Sequence, residues 1–160
     1  MKPLGITLLI LLLVCIIGVG YLYFNAGLTV TRVSVSATEA LHAPELLEHV
    51  RKQMEQGSVT GTRFADSLSG GAEDYQLLSY QVSFLNRSFV PCDQVEIQIT
   101  PQEGDVLQFY DAQSCTVPPR GEGSAEATLL TDVHSHTLRE LVITYYIWGI
   151  PFTMRSTSDL

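Results

Sequence analysis

The densest group of side chains able to hold a metal or move a proton in this 160-residue chain is Asp132-Val133-His134-Ser135-His136. In an extended conformation alternate residues share a face, so Asp132, His134 and His136 would point together, and two imidazoles with a carboxylate make a zinc-type ligand set. The same residue types also form an ordinary polar turn between strands. No second, separated ligand group accompanies them, so a membrane-tethered metal-binding protein or hydrolase built on these three residues is the alternative reading.

Cys92 and Cys115 are the two cysteines outside the apolar N-terminal run. A bond between them would close a loop of about two dozen residues and contribute roughly 3 kcal/mol by restricting the unfolded chain. Their spacing is not that of a redox pair, which leaves a structural disulfide or two thiols as the open choices. Asn86-Arg87-Ser88 matches a glycosylation sequon. The chain contains no G-x-S-x-G, S-x-x-K or H-E-x-x-H motif and no glycine-rich phosphate loop. No catalytic residues and no cofactor are therefore assigned, and a non-enzymatic role is expected.

Aromatic residues gather near the C-terminal end, in Tyr145-Tyr146-Ile147-Trp148-Gly149-Ile150-Pro151-Phe152. Strand alternation buries one set, whereas Tyr146 and Trp148 fall on the opposite face. With Phe152 nearby they are the expected contact patch for a partner, because exposed aromatic clusters commonly mark binding surfaces.

The elements that must position these residues begin with a different kind of segment. Residues 4–24 carry no charge, and as a helix they would extend about 30 Å, the thickness of a bilayer's hydrocarbon core. A cleavable signal core is shorter, roughly 7–15 residues, and requires small residues before the cut, where this chain has Phe24. An uncleaved signal anchor contacting the lipid bilayer is expected. Lys2 lies before the segment and the next basic residue is Arg32, so residues 1–3 are expected in the cytoplasm and the rest outside the cell membrane.

Residues 26–160 contain seventeen acidic and eight basic residues, a formal charge of −9. That balance, without any Lys/Arg cluster, argues against nucleic acid as a partner. A second membrane or envelope protein fits better. With so few residues between the apolar run and the first strand, the domain is expected close to the bilayer, oriented in part by repulsion from anionic lipid.

Strand periodicity dominates the external part. Leu78, Tyr80, Val82 and Phe84 alternate with small polar residues; Val95, Ile97 and Ile99 do the same, and so do Leu141, Ile143, Tyr145 and Ile147. One-sided alternation is the mark of antiparallel sheets with one face packed and the other in water. Further strands are expected at 28–36, 106–110 and 125–130. A parity switch between Leu28/Val30 and Val33/Val35 predicts a bulge. Residues 44–54 instead place Leu46, Leu47, Val50 and Met54 at helical spacing, with Pro44 in the first turn and Gly57 beyond the end. Stretches 67–74 and 116–124 read as mobile surface loops.

The expected fold is mainly β: an N-terminal transmembrane helix, then an antiparallel β-sandwich over residues 28–157, immunoglobulin-like in architecture, with one added amphipathic helix. The Cys…Trp…Cys spacing of true immunoglobulin domains is absent, since Trp148 follows both external cysteines. The function expected from the sequence is that of an acidic, membrane-anchored binding or structural module.

Overall fold

Strand β3 (Tyr75–Asn86) runs the length of the domain, and its alternation sets the rest of the packing. Leu78, Tyr80, Val82 and Phe84 are all fully buried, while Ser79, Gln81 and Ser83 between them remain at least partly exposed. β3 pairs antiparallel with β1 (Leu28–Glu39) on one side and β7 (Glu122–Asp132) on the other. β5 (Asp105–Phe109) and the short β2 (Gly61–Arg63) complete a five-stranded sheet in the order β1-β3-β7-β5-β2. Facing it is a four-stranded sheet, ordered β6-β4-β8-β9, of β6 (Cys115–Val117), β4 (Cys92–Ile99), β8 (Glu140–Ile147) and β9 (Ile150–Thr157). These elements come from a computed structural model that describes residues 2–24, 27–110 and 115–159.

The two sheets enclose one core, in which the inward residues of β3 meet Ile99 of β4 and Leu141, Ile143 and Ile147 of β8. The protein is a β-sandwich, mainly β and built from antiparallel sheets, as the alternation implies. A second core lies on the other side of the five-stranded sheet. There α2 (Pro44–Gln56) buries Leu47, Val50 and Met54 against Val106, Leu107 and Leu130. β7 serves both cores, because adjacent Leu129 and Leu130 point to opposite faces and both are buried.

The local rules explain the details. α2 has Pro44 in its first turn and ends at Gly57, whose φ of 67° lets its N–H close on the Gln53 and Met54 carbonyls. β1 shifts register between Val30 and Arg32, the bulge that its parity switch predicts. Gly123 is required by close approach: a Cβ there would lie 2.8 Å from Val117 Cγ2.

Several expectations need correction. Segment 116–124 is not one loop, since β6 reaches Val117 and β7 begins at Glu122. Segment 67–74 is irregular but tied down: Leu68 is buried, Arg51 Nη2 donates to the Gly70 carbonyl at 2.7 Å, and the Tyr75 hydroxyl donates to the Ser69 carbonyl. After Gly149 comes a strand that the sequence did not lead one to expect: the chain turns back as edge strand β9, paired with β8 from Ile147↔Ile150 to Glu140↔Thr157.

The sheets are also joined by a side chain. β6 is too short to accompany β4 past Val95, so the backbone of Ile97 and Ile99 lacks a strand on that side. Gln108 fills the gap: its Nε2 donates to the Ile97 carbonyl at 2.6 Å and its Oε1 accepts from the Ile99 N–H at 2.8 Å. Gln108→Met preserves much of the volume but leaves two buried backbone groups unmet. It is expected to destabilise the protein by about 2–4 kcal/mol in denaturant titrations of the full chain in detergent.

Candidate functional site

At the end of the sandwich remote from α1 (Lys2–Phe24) lies a buried polar network that the sequence reading did not single out. Arg139 precedes β8 at the same parity as Leu141 and Ile143, so its guanidinium is directed into the core and its side chain is 0% exposed. Asp105, also 0% exposed, meets it at 2.9 Å from Nη2 to Oδ1. Each partner has further hydrogen bonds. Asp105 accepts from the Thr131 hydroxyl at 2.7 Å and the Gln102 N–H at 2.7 Å. Arg139 Nη1 donates to Gln102 Oε1, and the Arg139 N–H donates to Ser158 Oγ at 2.9 Å. Arg139 Nε and Ser156 Oγ are the two buried side-chain atoms left without a partner among the described residues.

The charge pair imposes itself on neighbouring groups. The Tyr80 hydroxyl donates to the Thr137 carbonyl at 2.9 Å. Its pKa is pushed up to about 12, chiefly by burial, with Arg139 opposing and Asp105 adding to the rise. Such a network clamps β5, β7, β8 and β9 together. Its charged pair and Thr131 are buried, which suits a structural role more than chemistry on a solute.

The Asp132–His136 segment sits on this network and is a turn, not an extended strand. Asp132 ends β7 and its Oδ1 accepts from the His134 N–H at 2.7 Å, an Asx turn. Gln76 Nε2 lies within hydrogen-bonding range of the Asp132, Val133 and Ser135 carbonyls, at 3.1, 3.1 and 3.3 Å. His134 and His136 are exposed. Among the described residues no three His, Cys, Asp or Glu side chains are grouped to hold a metal. The turn explains why: it removes the alternation that would have aligned the three.

Cys92 and Cys115 lie on adjacent strands but not on the same rung, since Cys92 pairs with Val117 and Cys115 with Val95. They are not joined by a disulfide. Diagonal neighbours lie roughly 7–8 Å apart, with Cβ atoms somewhat closer but still beyond the roughly 3.5–4.5 Å such a bond takes. Cys92 is fully buried, and burial, with Asp93 nearby, pushes its thiol up to about 11. Asn86 is likewise 0% exposed. Its Nδ2 donates to the Val90 and Val117 carbonyls at 2.7 and 3.2 Å, and its Oδ1 accepts from the Ser88 N–H and hydroxyl. The sequon residue is thus a bracket closing the 87–91 loop, inaccessible to a glycosyl donor in the folded chain.

The aromatic trio is divided. Tyr146 is half-buried on the outer face of β8 and Trp148 is 57% exposed at the β8–β9 turn. Phe152 takes the opposite, inward face, stacked on Tyr145 with ring centroids 5.6 Å apart. It also meets Tyr23 of α1 at 5.6 Å. The Tyr145 hydroxyl accepts from the Leu28 N–H at 3.4 Å, so Phe152 and Tyr145 form the joint between helix and sandwich. Among solved structures, the chain is similar to the cupredoxin domain of amoB from Nitrosocaldus yellowstonii, over 81% of this chain and 84% of that one, at 13% identity and a TM-score of 0.35. No family model and no curated protein matches. A likeness that loose carries nothing to the site.

Removing one member of the ion pair should be worse than removing both. Arg139→Met is expected to destabilise by about 3–5 kcal/mol by stranding Asp105, and Asp105→Leu in the same chain to recover part of that loss, read as a positive coupling in a double-mutant cycle. A pH titration tests the raised groups. Cys92 keeps its proton to about 11 against an ordinary 9.0, and Tyr80 to about 12 against 10.0. The unfolded chain therefore releases these protons first, and stability should fall as pH rises from about 9 through about 12. Tyr80→Phe should flatten the upper part of that fall.

Proposed function

We propose that this is a single-pass membrane protein whose acidic β-sandwich, held outside the cell membrane, binds or organises other surface components without catalysing a reaction. The observation that carries the reading is the bareness of α1. The window Leu4–Tyr21 contains no buried residue, so nothing in the domain covers its apolar side chains. Leaving such a helix in water would expose one large apolar residue after another, each worth about 1.5–3 kcal/mol when removed from water. A bilayer supplies that cover.

The side chains that could have served chemistry support a non-catalytic role by their other commitments. Asp132 caps a turn, Ser135 Oγ bonds Thr131 Oγ1 at 2.8 Å, and Cys92 is a buried packing residue. Orientation follows from Lys2 at the start of the helix, ahead of its apolar run, which favours an inside N-terminus.

Three measurements test this reading, and the last of them separates it from its rival. Alkaline carbonate washing of membranes containing the full chain should leave it in the pellet, and protease added to intact cells should digest the domain. Release by carbonate would overturn the anchor. Zinc content of the dialysed protein should be far below one per chain; stoichiometric zinc lost on replacing His134 and His136 would restore the metal-binding alternative.

A further inference from the structure

The two ends of the sandwich differ in chemistry, and the end from which α1 departs has an unusual surface. Strand register gathers four segments there: the start of β1 at Leu28, the loop after Asn86, the 118–121 turn before β7, and the Trp148-Gly149 turn between β8 and β9. Direct bonds hold the first three together. The Arg87 N–H donates to the Gly27 carbonyl at 3.2 Å, and the Arg120 N–H to the Ser88 carbonyl at 3.0 Å.

Large apolar side chains at this end remain uncovered: Phe89 is 59% exposed, Trp148 57% and Ile150 46%. The Arg120 guanidinium lies over the Phe89 ring, 4.0 Å from its centroid, and Arg87 is exposed in the same loop. Backbone conformation adds an independent sign. The non-glycine residues at positive φ among those described are Gln94, Arg120 and Trp148, at 49°, 51° and 53°, and all belong to this end. Glycine or asparagine would be cheaper in each position. Two of these strained positions nevertheless carry a bulky side chain directed outward.

We infer that Phe89, Trp148 and Ile150, together with Arg87 and Arg120, sit in the headgroup layer of the bilayer that α1 crosses, with lipid phosphate as the partner of the two arginines. The inference rests on the anchor proposed above. Reach selects the occupant: from Phe24 to Leu28 the chain spans at most about 14 Å. A headgroup layer is itself roughly 5–8 Å deep. Full extension would clear that layer, but Tyr23 in the last turn of α1 meets Phe152 of β9 with ring centroids 5.6 Å apart, so this end of the domain lies against the membrane end of the helix. Tyr21 and Tyr23, exposed in the last turn of α1, continue the same aromatic belt from within the helix. Trp and Arg suit that layer because each joins an apolar body to a polar or charged tip. Asp93 and Glu122, exposed at the ends of β4 and β7 nearest this surface, are the acids whose repulsion the two arginines offset; Glu96 and Glu126, also exposed, lie further along the same strands.

Trp148 is the sole tryptophan of the chain and reports on this surface directly. The full chain would be reconstituted into phosphatidylcholine vesicles with acyl chains brominated close to the glycerol, brominated deep, or not brominated. Shallow bromines should quench Trp148 emission severalfold more than deep ones, and aqueous iodide should quench it weakly. Replacing Arg87→Glu and Arg120→Glu together should weaken the shallow-bromine quenching and raise the iodide quenching severalfold while far-UV circular dichroism and thermal unfolding stay unchanged. If Trp148 were open to iodide and untouched by either bromine while the chain resisted carbonate washing, the surface would face water or a protein, and the inference would be wrong with the anchor intact. If carbonate stripped the chain from the vesicles, both would fall.

Discussion

The distal half of the sandwich depends on one buried contact, that between Arg139 and Asp105. Two full charges withdrawn from water are tolerated only when each meets the other and its remaining valences are filled. That requirement fixes the elements which supply the filling: Thr131 at the end of β7, Gln102 in the turn before β5, Ser158 beyond β9 and, one bond further, Ser135 in the 132–136 turn. The turn that takes Asp132, His134 and His136 off a shared strand face is thus part of the same arrangement. A turn pinned by Gln76 and seated on a buried charge pair has little freedom to open into a strand.

The legible parts of the fold were those in which one side of an element meets apolar neighbours and the other meets water. β3, β4 and β8 satisfy that condition, and so does α2; their alternation or helical spacing follows directly from it. Even the bulge in β1 showed as a parity switch. β2 and β6 have three residues each, too few for any period to register. β9 was hidden for another reason: as an edge strand it carries Pro151 and Arg155 and alternates weakly, which protects an open edge but erases the signature. Gly123 and Ser124 look like linker residues, yet lie in β7 because the chain passes too near Val117 for a side chain.

The functional residues were less legible because their meaning is set by distant partners. Nothing local to Asp105 announces Arg139, thirty-four positions away. A clue existed in parity, since Arg139 continues the inward series of Leu141 and Ile143, and a charge on that face needs an answering charge. Asn86 shows the opposite failure. Its sequon is a local pattern with a ready meaning, but the side chain is spent on Val90, Val117 and Ser88. For the aromatics, spacing correctly opposed Tyr145 to Tyr146, while the turn at Trp148-Gly149 inverted the chain and returned Phe152 to the inner side.

β1 has a mechanical consequence. It begins beside the last turn of α1 and runs away from it to Glu39, hydrogen-bonded to β3 along nearly all of that length. Those bonds lie across the strand direction. A pull between the membrane and something gripping the far end would therefore act along β1 and load its rungs in parallel, as shear, instead of peeling them one after another. The strand that attaches the domain is also placed to bear tension without opening the sandwich.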